Sequence, residues 1–146
     1  MKYLCVYLYI MKHKVYFSLG SNLGDKEGNI REAIKRIGEL IGEVDRQSTL
    51  LVTEPWGFES DNSFVNAAVR CITSLAPLDI LTITQDIERA MGRTAKSVDG
   101  QYHDRIIDID ILMYDDLHIN TPELTLPHPL MKERDFVMIP LSEIFF

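Results

Sequence analysis

Two aspartates separated by one residue, Asp108 and Asp110, stand in a run of isoleucines, and their spacing is the first in the chain to suggest chemistry. In a strand, residues i and i+2 point to one face, about 7 Å apart at the backbone. Ile107, Ile109, Ile111 and Met113 alternate with Asp108, Asp110 and Leu112, so this strand belongs beside a core. Two like charges there are costly unless cations neutralise them. Hard carboxylate oxygens suit magnesium, which fills its remaining positions with water and substrate phosphates. The spacing also lets the two side chains converge on a pair of ions a few ångströms apart. For a bare Asp-x-Asp the ordinary explanation is duller: one aspartate wet at a sheet edge, the other paired with an arginine.

The surroundings weaken that explanation. Arg105 lies three residues before Asp108, and Arg93 and Lys96 stand in the segment before it. His128, Lys132 and Arg134 follow the strand. Arginine suits bidentate phosphate contacts, and lysine acts as a point charge. The chain as a whole carries a net charge of −7, so its field repels anions and any anionic substrate needs such a local basic cluster. Gly20-Ser21-Asn22-Leu23-Gly24 lacks both the Walker A lysine and the GxGxxG spacing. It reads as a turn in which Asn22 could cap a following helix.

The elements that must position these residues are legible from periodicity. A strand is expected from Lys14 to Leu19 and a helix from Lys26 to Ile41, with Ile30, Ala33, Ile34, Ile37, Leu40 and Ile41 as its apolar stripe and Gly42 as its stop. Val44 to Thr53 reads as a second strand, then a loop to Ser63. A third strand follows from Phe64 to Thr73, with Phe64, Asn66, Ala68 and Arg70 on one face. Pro77 begins a second helix to about Met91, with Leu78, Leu81, Ile87 and Met91 among its apolar positions. Ile106 to Tyr114 is the strongest strand. Asn120 to Arg134 reads as irregular, and Phe136 to Ile144 as a short helix or strand. The order β-α-β-β-α-β is an α+β, ferredoxin-like sandwich with an antiparallel sheet and both helices on one face.

Composition narrows the class. At 146 residues, 46% hydrophobic and 25% charged, the chain fits one globular domain and not a disordered one. The acidic balance argues against nucleic acid as a partner. No apolar run reaches the roughly 20 residues of a bilayer span, so no membrane partner is expected. Cys5 and Cys71 read as small core hydrophobes in a reducing, cytoplasmic setting. Residues 1–10 read as an N-terminal extension before a single domain at 11–146 starting near Met11, with an added edge strand as the alternative.

Six segments, in order, resemble one known family. They are SLGSNLGD at 18–25, TEPWGF at 53–58, FVNAAV at 64–69, QDIERAMGR at 85–93, DRIIDIDILMY at 104–114 and LPHPLMKERDF at 126–136. Together they are similar to the motifs of 6-hydroxymethyl-7,8-dihydropterin pyrophosphokinase, from about Lys14 onward. The resemblance implies transfer of the β,γ-pyrophosphate of ATP to a pterin alcohol in folate biosynthesis, with two magnesium ions and a monomeric enzyme. It makes Asp108 and Asp110 the metal ligands and Arg93 and Arg105 the catalytic arginines. It assigns Gln85, Glu88, Ile111, His128 and Arg134 to the nucleotide. Thr53, Pro55, Trp56, Phe64, Asn66 and Phe136 would bind the pterin, the two phenylalanines sandwiching its ring. Tyr102, Ala95, Glu123 and Pro129 depart from residues common at their positions in the family.

Overall fold

The computed structural model describes residues 11–54, 63–92 and 105–146 of the chain. Strand β1 (His13–Ser21) is followed by helix α1 (Lys26–Leu40), strands β2 (Glu43–Gln47), β3 (Leu51–Thr53) and β4 (Phe64–Thr73), and helix α2 (Pro77–Ala90). Then come β5 (Asp108–Tyr114), a hairpin of β6 (Ile119–Asn120) and β7 (Thr125–Leu126), a 3-10 turn at Met131–Glu133 and helix α3 (Asp135–Ile144). The main sheet runs β2-β4-β1-β5, with β3 continuing the β2 edge along β4. All its pairings are antiparallel.

The expected strand from Val44 to Thr53 is therefore two strands. Glu43–Gln47 lies along Ile72–Val69, and Leu51–Thr53 along Asn66–Phe64. Ser48 bridges the break, donating its N–H to the Ala68 carbonyl and accepting the Ala68 N–H on its hydroxyl, both at 2.9 Å.

One face of the sheet packs on α1 and α2. Val15, Phe17 and Leu19 of β1, Val65, Ala67, Val69 and Cys71 of β4, and Ile109 and Ile111 of β5 meet Ile30, Ala33 and Ile37 of α1 and Ile80 and Ile87 of α2. Each such large side chain stabilises the fold by about 1.5–3 kcal/mol. Cys71 is the expected core thiol, its pKa pushed up to about 12 mainly by burial. The apolar stripes are narrower than their spacing implies. Leu40 and Leu78 are 54% and 52% exposed, and the face α2 buries is Ile80, Thr84, Ile87 and Glu88.

Two details of the first βα unit depart from the sequence reading. Asp25, not Asn22, caps α1, its carboxylate accepting the Gly28 N–H at 3.1 Å. Gly42 follows the helix because β4 passes so close that an added Cβ would lie 2.1 Å from the Ile72 carbonyl oxygen.

The other face is shared between α3 and open space. Tyr16, Ala68 and Leu112 pack beneath Val137, Leu141 and Ile144 of α3 and Met131 of the 3-10 turn. The two helices of the β-α-β-β-α-β order lie on one face as expected, and the C-terminal segment is a helix forming a third layer on the other. The regular alternation of β5 ends at a bulge. Phe17 pairs with Ile111 but Tyr16 with Met113, so Leu112 is the extra residue and Met113 joins Leu112 on the α3 side, while Tyr114 turns to the α1–α2 core. The alternation places Met113 opposite the aspartates' face, and the bulge reverses it. Among the described residues no helix is long and apolar enough to cross a membrane.

Candidate active site

The part of this face that α3 leaves uncovered is a cleft of about 480 Å³, counting the solvent space at its open mouth. Strand register explains its shape. Central strand β1 places Ser18 between Ala68 and Asp110, and Gly20 between Asn66 and Asp108. Small residues on the middle strand make a low floor, and larger side chains on its neighbours make two walls. The floor tolerates little more. A Cβ at Gly20 would stand 3.1 Å from Oδ1 of Asn66 and 3.8 Å from the Phe64 ring.

One wall is acidic and basic. Asp108 and Asp110 both line the cleft, as the i, i+2 spacing requires. Arg105 lines it with them and donates from Nη1 to Asp108 Oδ2 at 3.2 Å. The dull explanation of an Asp-x-Asp pair is thus partly realised, since one aspartate has an arginine partner. It does not account for Arg134, which reaches the same cleft from the turn before α3. Both guanidinium groups are nearly buried and each lies over an aromatic ring of the cleft, Arg105 5.8 Å from the Phe64 centroid and Arg134 5.7 Å from that of Phe136. Such contacts hold a planar cation in a fixed attitude.

The other wall is built to read a flat polar molecule. Phe64 and Phe136 line the cleft from β4 and from the first turn of α3. Asn66, buried near the start of β4, donates from Nδ2 to Oγ1 of Thr53 on β3 at 2.9 Å. That bond sets which way the amide faces, leaving its oxygen toward Gly20. An amide edge between two aromatic residues suits a planar heterocycle with donors and acceptors on its rim.

Carboxylates are the donor type that magnesium takes, and one or two of them suffice when phosphates and water complete the shell. The pair at Asp108 and Asp110, partly exposed beside two arginines, fits that ion. Among the described residues no group of three or more His, Cys, Asp or Glu forms an all-protein cage.

Among the described residues, Gln85, Glu88, Ile111 and His128 were expected in the site and do not line the cleft. Glu88 of α2 is buried, and its Oε2 accepts the Ile109 N–H at 2.8 Å, tying the outer edge of β5 between the two aspartates. Gln85 stands one turn earlier on the same helix. The Ile111 side chain belongs to the core on the opposite face, where it packs away from the cleft. His128 docks on the β5 edge through its N–H to the Leu112 carbonyl at 2.9 Å, and its Nδ1 accepts the Leu130 N–H at 3.3 Å. Arg93, Pro55 and Trp56 lie outside the described residues, as do Lys96, Ala95, Tyr102 and Cys5. Ser18, Gly20 and Glu54 line the cleft without having been expected there. Glu54 neighbours Thr53 in one of the quoted motifs, and Gly20 begins the turn that spacing alone marked as structural.

The family model for 7,8-dihydro-6-hydroxymethylpterin-pyrophosphokinase matches residues 16–145. The chain belongs to this family. It is 51% identical over 131 residues to the 2-amino-4-hydroxy-6-hydroxymethyldihydropteridine pyrophosphokinase of Porphyromonas gingivalis, an alignment covering 89% of each chain. It is 39% identical to the protein of the same name from Bacillus subtilis, over 92% of this chain and 79% of that one. A variant HPPK-DHPS chain of Plasmodium falciparum superposes with a TM-score of 0.72 at 17% identity, covering 92% of this chain and 42% of the longer one. That likeness bears on the fold, and it agrees with the ferredoxin-like order read from the sequence.

Proposed function

We propose that this chain transfers the β,γ-pyrophosphate of ATP to the hydroxymethyl group of 6-hydroxymethyl-7,8-dihydropterin, giving AMP and the pterin diphosphate in folate biosynthesis. Membership of the pyrophosphokinase family supports the reaction class. The observation that carries the residue assignment is one cleft with a carboxylate pair and two arginines on one wall and an aromatic–amide slot on the other.

In this reading the pterin ring lies between Phe64 and Phe136, with Asn66, oriented by Thr53, hydrogen-bonding its edge. Its hydroxymethyl oxygen then faces Asp108 and Asp110 and attacks the β-phosphorus, with AMP leaving. Such transfers depend on positioning and on stabilising charge spread over the phosphoryl oxygens. Arg105 and Arg134 supply that stabilisation from a nearly buried site, where a fixed cation is worth more than in water. Asp108 and Asp110 would hold two magnesium ions, which when bound neutralise the triphosphate and acidify the attacking alcohol. Gln85, Glu88, Ile111 and His128 serve the nucleotide end, Arg93 adds a cation for the triphosphate, and Pro55 and Trp56 serve the pterin. No protein general base is required. The enzyme acts as a monomeric single domain in the cytoplasm, and light scattering that reported a dimer would overturn the first of these points.

The test is AMP formation from ATP and magnesium with and without the reduced pterin. Pterin-dependent AMP with one pterin diphosphate per AMP is expected. Equal AMP release in both tubes would instead identify a nucleotide hydrolase.

A further inference from the structure

We infer that Asn22 is a positioning residue for the transfer, acting through Arg105. Asn22, which follows β1, stands in a segment that lacks a phosphate-binding signature, and it does not cap α1, so its side chain calls for another account. Asn22 is fully buried. Its Oδ1 accepts the Arg105 N–H at 2.6 Å, and its own N–H donates to the Arg105 carbonyl at 3.0 Å. One residue therefore takes both backbone groups of another that is 83 positions away. This is a two-point clamp, and two points fix the rotation of the Arg105 backbone as well as its position.

The clamp is itself braced. Nδ2 of Asn29, on the first turns of α1, donates to the Leu23 carbonyl at 2.9 Å and to the Ser21 hydroxyl at 3.2 Å. The turn on either side of Asn22 is thus held to the helix. Downstream, the Arg105 guanidinium meets Asp108 at 3.2 Å, and Glu88 takes the Ile109 N–H at 2.8 Å. The segment carrying the arginine and both aspartates is pinned at Arg105 by Asn22 and at Ile109 by Glu88. Arg105 precedes β5, whose pairing with β1 begins only at Asp108. Without the Asn22 acceptor, the entry to the strand loses its fixed geometry first. A misplacement of about 1 Å at such a group costs on the order of a hundredfold in rate.

This inference rests on the pyrophosphokinase reading, and its test separates the two. Wild-type protein must first show pterin-dependent AMP formation, and failure there strikes the function, not Asn22. Asn22→Leu, with the same branching and number of side-chain heavy atoms but without the acceptor, is expected to lower kcat by about tenfold to a hundredfold, with little change in the KM for the pterin. Asn22→Asp, which keeps an oxygen at the same place, should recover much of the loss. The deciding measurement is a double-mutant cycle with Arg105→Ala. If Asn22 works through Arg105, adding Asn22→Leu to Arg105→Ala lowers kcat little further. Losses that multiply in the double variant, or a kcat for Asn22→Leu equal to wild type, would overturn the inference. Should Asn22→Leu fail to fold, Asn22→Ser, too short to reach the Arg105 N–H, enters the same cycle with the same two outcomes.

Discussion

Asp110 faces the cleft from β5, directly across from Ser18, and is partly exposed. Removing it takes away a charge without opening a hole in the α1–α2 core. Asp110→Ala is therefore expected to lower kcat by at least about a thousandfold while its circular dichroism stays that of the wild type. Undiminished turnover would remove Asp110 from the site. Phe136 belongs to the other wall and touches no reacting atom in the proposed arrangement. Phe136→Ala should raise the pterin Kd by about tenfold, the worth of one ring stack, with the nucleotide Kd little changed in calorimetric titrations. Loss of nucleotide affinity as large as that for the pterin would argue against the slot. At this scale Asn66 shows why register matters: its amide direction follows from Thr53, and Thr53 stands opposite Phe64 because β3 continues the edge that β2 began.

Among the elements, the edge formed by β2 is held to β4 by a buried cation. Arg70 on β4 forms a bidentate pair with Asp45 on β2, from Nε at 3.0 Å and from Nη2. The hydrogen bond from Arg70, reinforced by its charge and opposed by partial burial, holds the Asp45 carboxyl below its ordinary value of 3.8. The same pairing, against the cost of burial, raises the Arg70 guanidinium above its ordinary range. The sign follows for stability. A carboxyl whose folded pKa lies below its unfolded one stabilises the fold above the unfolded value, and that contribution is lost as pH falls through the folded value. Asp45→Asn should unfold at lower urea than the wild type at pH 7, and the gap between the two midpoints should start to narrow as pH falls below about 4 and go on narrowing below it. A difference that persists unchanged at pH 3 would show that the pair acts by packing instead of charge.

For the molecule as a whole, three layers leave part of one sheet face open, and ligands that fill it must stabilise the folded chain. A ligand at a hundred times its Kd contributes about 2.7 kcal/mol, which raises Tm by several degrees for a domain of this size. A non-hydrolysable ATP analogue with magnesium, and the pterin separately, should each raise the Tm of the wild type. In Asp110→Ala the pterin shift should survive and the magnesium-dependent nucleotide shift should not. A full nucleotide shift in that variant would dissociate metal binding from the carboxylate pair.

Much of this was legible in the residues themselves, because local periodicity settles where a side chain points. An i, i+2 pair in a strand shares a face wherever the strand is placed, so Asp108 and Asp110 were bound to face together. Phe64, Asn66, Ala68 and Arg70 were bound to do the same. The pterin slot was legible only through the resemblance, since two phenylalanines and an asparagine in strands read equally well as packing. What the spacing could not encode is which distant backbone group a polar side chain meets. Asn22 looked like a helix cap and closes on the backbone of the β5 segment instead, and the bond from the Ile109 N–H to Glu88 was equally invisible in the spacing. The bulge at Leu112 likewise arises from pairing with β1, and it turns Met113 against its own alternation. Tertiary packing alone also made the floor: Ser18 and Gly20 matter because they lie between Asp110 and Ala68, and between Asp108 and Asn66. Direction is a property of the chain's local geometry, whereas partnership is a property of the packed sheet, and the aspartate pair becomes a site only when both are in place.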